Sequence, residues 1–320
     1  MFAARLIAVS CAVLVLVYGG LSLAVSCGWR RFWLYSRRYP ARRTADLLYG
    51  LRLFPLAAAA AVTLAFTVPS FVLLEPRSID EPIGIAPLFL SFCGLMIAVF
   101  GIVNAARALK TTSRAVALWM KDAKVVESRG TVPVMRISRI VPALTAAGIL
   151  KPRVLVSGAA EFLLTEKELQ TALRHELAHV QRRDNLKKLL LRLIAFPGMS
   201  GLEAAWLEAI EMAADDAAVF SASEALDLAA ALIKLSRLSP FEARVDLTAA
   251  LVHSPVAVMN ARVERLMAWS EERPFSSSPS LRGYSPWLAM AALLTMVAVL
   301  AVTYTGLLVR VHTATEWLVK

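Results

Sequence analysis

The sequence predicts an α-helical membrane protein with four transmembrane helices and a cytoplasmic α+β domain between the third and the fourth. Three observations predict it. Hydrophobic residues make up 58% of the 320, well above an ordinary globular domain. Four stretches of roughly 20 residues or more carry no charge, enough to cross a hydrocarbon core of about 30 Å. A polar block with mixed strand and helix patterning separates the last two of them.

The spans run from Leu6 to Trp29, Leu53 to Leu74, Pro82 to Ala106 and Pro286 to Val309. A cleaved signal peptide is the alternative for the first. Three further spans follow it, and no clear small-residue cleavage site ends it, which favours a membrane helix. Loop charge sets direction. The basic loop 30–52 holds Arg30, Arg31, Arg37, Arg38, Arg42 and Arg43 against Asp46 and is expected in the cytoplasm. The next loop holds Glu75, Asp80 and Glu81 against Arg77 and is expected outside. Residues 1–106 are thus three spans and one cytoplasmic loop. A cytoplasmic domain follows at 107–272, then a Ser- and Pro-rich linker at 273–285, the fourth span at 286–309 and a short outer tail at 310–320. Both termini are expected outside a bacterial-type inner membrane.

The net charge of +11 sits largely beside the apolar runs. It suits anionic lipid headgroups better than direct nucleic-acid binding. Cys11, Cys27 and Cys93 lie in or beside apolar runs without metal-ligand spacing, so no disulfide framework is expected. The spans lack the internal charge pairs of ion pathways, which argues against a transporter.

In the cytoplasmic block, "VPVMRISRI" and "PRVLVSG" are short β-branched runs bounded by Pro and Gly and read as strands. "VPALTAAGILKP" between them reads as a turn or hairpin. A helix then begins at Thr165, a plausible N-cap with Glu168 three residues on, forming a capping box. Leu169, Ala172, Leu173, Leu177 and Val180 supply its apolar stripe.

That helix carries "HELAH" at 175–179. Residues i and i+4 share a face, so His175 and His179 can direct two imidazole nitrogens at one Zn²⁺, at about 2.0–2.1 Å. Glu176 is turned about 100° from His175, beside the metal rather than on it. There a carboxylate can take a proton from water and pass it to a leaving amine. The plain alternative is two satisfied helix histidines. A catalytic zinc usually takes a third protein ligand. Glu203, Glu208 and Glu211 in "EAAWLEAIEMAADDAAVF" are all candidates. Glu211 stands four residues before Asp215 on one helix side, so Asp215 can serve as partner to a ligand histidine. The alternative is a solvated acidic face.

"LRHELAHVQRRDN" together with "EMAADDAAV" resembles the gluzincin metallopeptidases embedded in membranes, among them the HtpX-type, CAAX-processing and BlaR/MecR-type proteins. The resemblance covers roughly 125–270 and matches H-E-x-x-H followed by E-x-x-x-D. It implies an α+β gluzincin domain that holds one Zn²⁺ through His175, His179 and Glu211, with Glu176 as general base and Asp215 behind a ligand. It also implies that the "PRVLVSG" strand is a sheet edge that pairs with extended substrate. Three spans before the domain and one after resemble the BlaR/MecR arrangement. The implied activity is zinc-dependent endopeptidase action on a cytoplasmic or membrane-proximal protein, with a transcriptional repressor as favoured substrate, in signal transduction. Membrane-protein quality control and a non-catalytic zinc-binding scaffold are the alternatives. The sequence stops about ten residues past the fourth span, so no penicillin-binding sensor is expected in it; a sensor partner, a homodimer, the membrane or the outer loops would carry the signal.

"LVHSPVAVMNARVERLMAW" is similar to an HtpX-type segment. It implies His253 near the metal, stabilising the oxyanion, and Arg262 as a structural or polar partner nearby. Asp184 matches a family acid and is expected to hold the helix end through a local ion pair. "NLKKLLLRLIAFPGMSG" (185–201) is too interrupted by Lys187, Lys188 and Arg192 for a fifth span. It reads as a helix against the membrane surface or the other spans, or as a core helix.

Overall fold

The computed structural model describes residues 2–76, 83–129, 132–138, 142–194, 196–238, 247–250, 256–271 and 303–317. The chain divides into two compact units. It is mostly helical, with three candidate membrane helices and a small mixed sheet.

Unit 1 comprises Met1–Gly28, Leu53–Val99 and Phe275–Lys320. Its apolar helices belong to α1 (Phe2–Ser36), α2 (Ala41–Val62) with its continuation α3 (Val68–Leu74), and α4 (Ile85–Trp119). The three candidate spans, Phe2–Ser36, Ala41–Leu74 and Ile85–Trp119, are 35, 34 and 35 residues long. At 1.5 Å per residue each is about 50 Å, longer than the hydrocarbon core requires. The helices outrun the charge-free windows at their basic ends, because Arg and Lys are good helix formers and only 37–40 separate α1 from α2. Thr63–Thr67 forms a π turn between α2 and α3, just before Pro69. Pro69 has no N–H for the Ala65 carbonyl, and the Tyr304 hydroxyl donates to that carbonyl at 2.7 Å instead. Arg5, buried, and Glu75, half-buried, pair at 3.0 Å. The predicted fourth span lies mostly outside the described residues; 303–317 is helical.

Unit 2 comprises Trp29–Arg52 and Phe100–Pro274. Its strands are β1 (Lys124–Arg129), β2 (Val132–Ile137), β3 (Leu144–Ala147), β4 (Arg153–Ser157) and β5 (Ala249–Ala250), in the order β1-β2-β4-β3-β5. β2 and β4 are parallel and the other pairs antiparallel. The two predicted strands are present. The expected edge position of "PRVLVSG" is not. β4 lies between β2 and β3 with Val154, Leu155 and Val156 buried, as suits a continuous β-branched run. The hairpin expected upstream forms, and its first arm is β3. Gly148 turns the chain at φ 93°, and a Cβ there would lie 2.6 Å from the Lys151 carbonyl oxygen.

Around the sheet stand α5 (Gly158–Leu163), α6 (Glu166–Gln181), α7 (Asp184–Leu193), α8 (Ser200–Ala218), α9 (Ala222–Ser236) and α10 (Val256–Glu271). Helices α5 and α6 pack on the strands, α7, α8 and α9 pack on α6, and α10 packs on α9. The α6 capping box forms: Thr165 N–H donates to Glu168 Oε2 at 2.8 Å and Glu168 N–H to Thr165 Oγ1 at 3.3 Å. Lys234 of α9 adds a 2.8 Å ion pair to Glu168. Ala172 and Leu173 of the predicted stripe are buried with Val154, Val156, Leu228 and Leu232, and Leu169, Leu177 and Val180 flank them. This core fixes the rotation of α6 and so turns His175 and His179 toward α8. Helix α7 has ten residues, about 15 Å, too short to cross a bilayer.

Candidate metal centre

Two helices supply the centre, one side chain pair each. On α6, one turn separates His175 from His179, and their Nε2 atoms stand 3.2 Å apart. On α8, Glu211 brings Oε2 to 3.6 Å from His175 Nε2 and Oε1 to 3.7 Å from His179 Nε2. All three side chains are buried. Of the three candidate glutamates only Glu211 reaches the histidines. Glu203 pairs with Arg192 at 3.5 Å, and Glu208 is half-buried elsewhere on α8.

A carboxylate backs each imidazole. Asp215 Oδ1 lies 3.0 Å from His175 Nδ1, and Asp184 Oδ2 lies 2.8 Å from His179 Nδ1. A carboxylate opposite Nδ1 favours the Nδ1–H tautomer and leaves the Nε2 lone pair free. Two such lone pairs and a carboxylate within 3.7 Å repel one another unless a cation stands between them. Tetrahedral coordination at about 2.0–2.1 Å places ligand atoms about 3.3 Å apart, close to what is found. The three residues therefore fit a single divalent cation.

Asp184 does more than the expected helix-end pairing. Arg182 and Lys187 do approach its Oδ1, at 3.7 and 3.8 Å. Its other oxygen reaches back to His179 because Arg183 adopts the left-handed conformation (φ 54°, ψ 39°) at the junction of α6 and α7. For a non-glycine residue that conformation costs about 1–2 kcal/mol. Arg262 of α10 is fully buried. Its Nε and Nη2 donate to Asp215 at 2.8 and 2.6 Å, and its Nη1 lies 3.0 Å from Glu211 Oε2.

Glu176 is also fully buried. Its Oε2 accepts from the Ala146 N–H of β3 at 2.7 Å, and its Oε1 has no hydrogen-bond partner. Asn185 fastens the same strand: its Nδ2 donates to Ala146 O at 3.1 Å and to Gly148 O at 3.3 Å. A cavity of about 260 Å³ opens beside His179, between Ile149, Leu150 and Pro152 on one side and Val180, Asn185 and Leu186 on the other. His253 lies outside the described residues.

Residues 106–282 match peptidase family M48. The matched segment is more than half of the chain and contains both helices of the centre. The chain belongs to peptidase family M48. No curated protein matches it. Membership makes this a metallopeptidase domain, and with three apolar helices the protein is a membrane-associated one.

The M48 centre is electrostatically polarised in its metal-free form. Burial resists charge on His175, but Asp215 and Glu211 raise it to about 9. Burial resists ionisation of Glu211, and Arg262 with the two histidines lowers it to about 2. Arg262 and His175 likewise overcome burial to hold Asp215 well below the usual carboxylate range. Glu176 goes the other way. Burial pushes it up to about 8, Glu211 adds to this, and His175 and the Ala146 N–H oppose it.

This raised value has a stability consequence. Below the ordinary value of 4.5 Glu176 is protonated whether the chain is folded or not. As pH rises from 4.5 through about 8 the unfolded chain releases the proton first, so stability falls across that window. Glu176→Gln removes the loss. Metal-free variant and parent are expected to melt together at pH 4.5, with the variant roughly 5 °C higher at pH 8. Intrinsic-fluorescence melts in chelator read the difference, and equal midpoints at pH 8 would refute it.

Proposed function

We propose that the protein is a membrane-embedded zinc-dependent endopeptidase acting on a cytoplasmic or membrane-proximal protein. The observation carrying this reading is that His175, His179 and Glu211 bring one ligand atom each to within 4.8 Å of one another, with Glu176 next in sequence to one of them. His175, His179 and Glu211 are the zinc ligands. Bound there, the ion would polarise the scissile carbonyl and make water a competent nucleophile near neutral pH. Asp215 and Asp184 hold the ligand imidazoles in the tautomer that faces the ion. The Ala146 N–H fixes one Glu176 oxygen and leaves Oε1 free to accept the proton of the attacking water. Glu176 then returns that proton to the leaving amide nitrogen. The cavity beside His179 gives a substrate side chain a place next to the reacting bond. His253 remains the proposed oxyanion donor, from the resemblance of its segment.

Three apolar helices ahead of the M48 domain support a BlaR/MecR-like arrangement, and with it regulatory proteolysis of a repressor-type substrate. Loop charge supports a cytoplasmic catalytic domain at an inner membrane, with the termini outside and a fourth span at 286–309. Quantitative proteomics of cells carrying the parent or Glu176→Gln tests this. One or a few regulators accumulating in the variant supports the regulatory reading. Broad accumulation of misfolded membrane proteins points to quality control. Identical proteomes would remove the proteolytic reading.

A further inference from the structure

A second cavity, of about 320 Å³, lies within unit 2 where the start of α2, the end of α6, α7 and α8 meet. Arg42, Arg182 and Lys187 face it, with Asp46 as the one carboxylate in its lining. Ala178, Ala213 and Ala217 form its floor and leave the space open. None of these residues is a proposed ligand or base.

Arg182 is the informative member. Only 11% of its side chain is exposed, and neither Nη1 nor Nη2 has a hydrogen-bond partner. The nearest carboxylates stand off at 4.0 Å (Asp46) and 3.7 Å (Asp184). Lys187 Nζ is similarly placed, 3.6 Å from Asp46 and 3.8 Å from Asp184, with the Tyr49 ring at 5.5 Å. These distances give charge compensation without hydrogen bonds. At the cavity the charge of Lys187 and Arg42 is only partly compensated, which suits a group bearing several acceptor oxygens.

We infer that this cavity is a binding site for a phosphate group. Lys187 and Arg42 supply point charges at the cavity, and the guanidinium of Arg182, its Nη1 and Nη2 buried beneath the wall, adds a third positive charge behind them. The three cations outnumber the two carboxylates near them, Asp46 and Asp184, which favours an anion over water. The space holds about ten waters at roughly 30 Å³ each, enough for a phosphate and part of the alcohol esterified to it. Two sources present this chemistry: a phospholipid headgroup, to which Arg42 on a candidate membrane helix gives access, and a soluble phosphate ester or inorganic phosphate. The site does not depend on the peptidase reading.

The test uses the full-length protein. In detergent, inorganic phosphate is titrated at constant ionic strength against chloride, and the thermal midpoint is followed. In nanodiscs, phosphatidylglycerol is compared with a neutral galactolipid that carries no phosphate. A saturable rise of several degrees is expected in at least one arm. The double variant Arg42→Gln/Lys187→Gln, which keeps Arg182, Asp184 and the three proposed metal ligands, is expected to shift half-saturation at least ten-fold or to abolish the nanodisc difference. A phosphatidylglycerol effect that also removes the response to free phosphate identifies the lipid as source. A response to free phosphate alone identifies a soluble ligand. No saturable rise in either arm, or the same rise in the double variant, overturns the proposal.

Discussion

Arg262→Leu is expected to cost the M48 domain on the order of 3–5 kcal/mol and most of its affinity for metal. The guanidinium is fully buried and touches both acids of α8, Asp215 through two donors and Glu211 through a third. Its removal leaves two carboxylates, one helical turn apart, without the cation that holds them ionised. Both would be driven toward the protonated state, because burial already pushes them there. A neutral Glu211 is a poor ligand, and a neutral Asp215 no longer stabilises the His175 tautomer. The loss corresponds to a fall of about 10 °C in midpoint for a unit of this size. Arg262→Lys should recover only part, since one ammonium cannot serve three oxygen positions. Melts and metal analysis of the two variants read this directly, and an unchanged midpoint in the leucine variant would contradict the assignment.

Glu176→Gln is expected to lower the rate of peptide cleavage by roughly 10²–10⁴ while metal content stays at the parent level. The side chain is not among the three ligand atoms. Glutamine keeps an oxygen for the Ala146 N–H, now accepted at 2.7 Å, so its position is preserved. What it lacks is a basic oxygen where Oε1 stands. Single-turnover cleavage of a purified substrate separates this from a folding defect. Glu176→Asp, which keeps the base and shortens its reach, is expected to fall between the two.

The sequence carried the centre better than it carried the scaffold around it. Spacing of four on α6 and on α8 is a local signal, and both pairs appear where that spacing puts them. The α6 capping box was equally local. Arg262 read only as a polar neighbour, because its three contacts cross from α10 to α8 over about 50 residues. Asp184 read as a helix-end charge because a left-handed Arg183, which redirects it to His179, has no signature in residue type. Asn185 sits next in the same run, but its partners are backbone carbonyls of β3, and the Ala146 N–H that holds Glu176 is backbone as well. Strand β3 itself, Leu-Thr-Ala-Ala, is poor in β-branched residues and forms because β4 and α6 bury it. Its presence is what moves β4 from the sheet edge to the interior.

The central claim is that His175, His179 and Glu211 hold one zinc ion. Elemental analysis of full-length protein purified without chelator, compared with His179→Ala, tests it most directly. The account predicts one zinc per chain in the parent and in Glu176→Gln, and almost none in His179→Ala. A parent without stoichiometric zinc after zinc-replete growth, or a His179→Ala protein that retains it, would contradict the account.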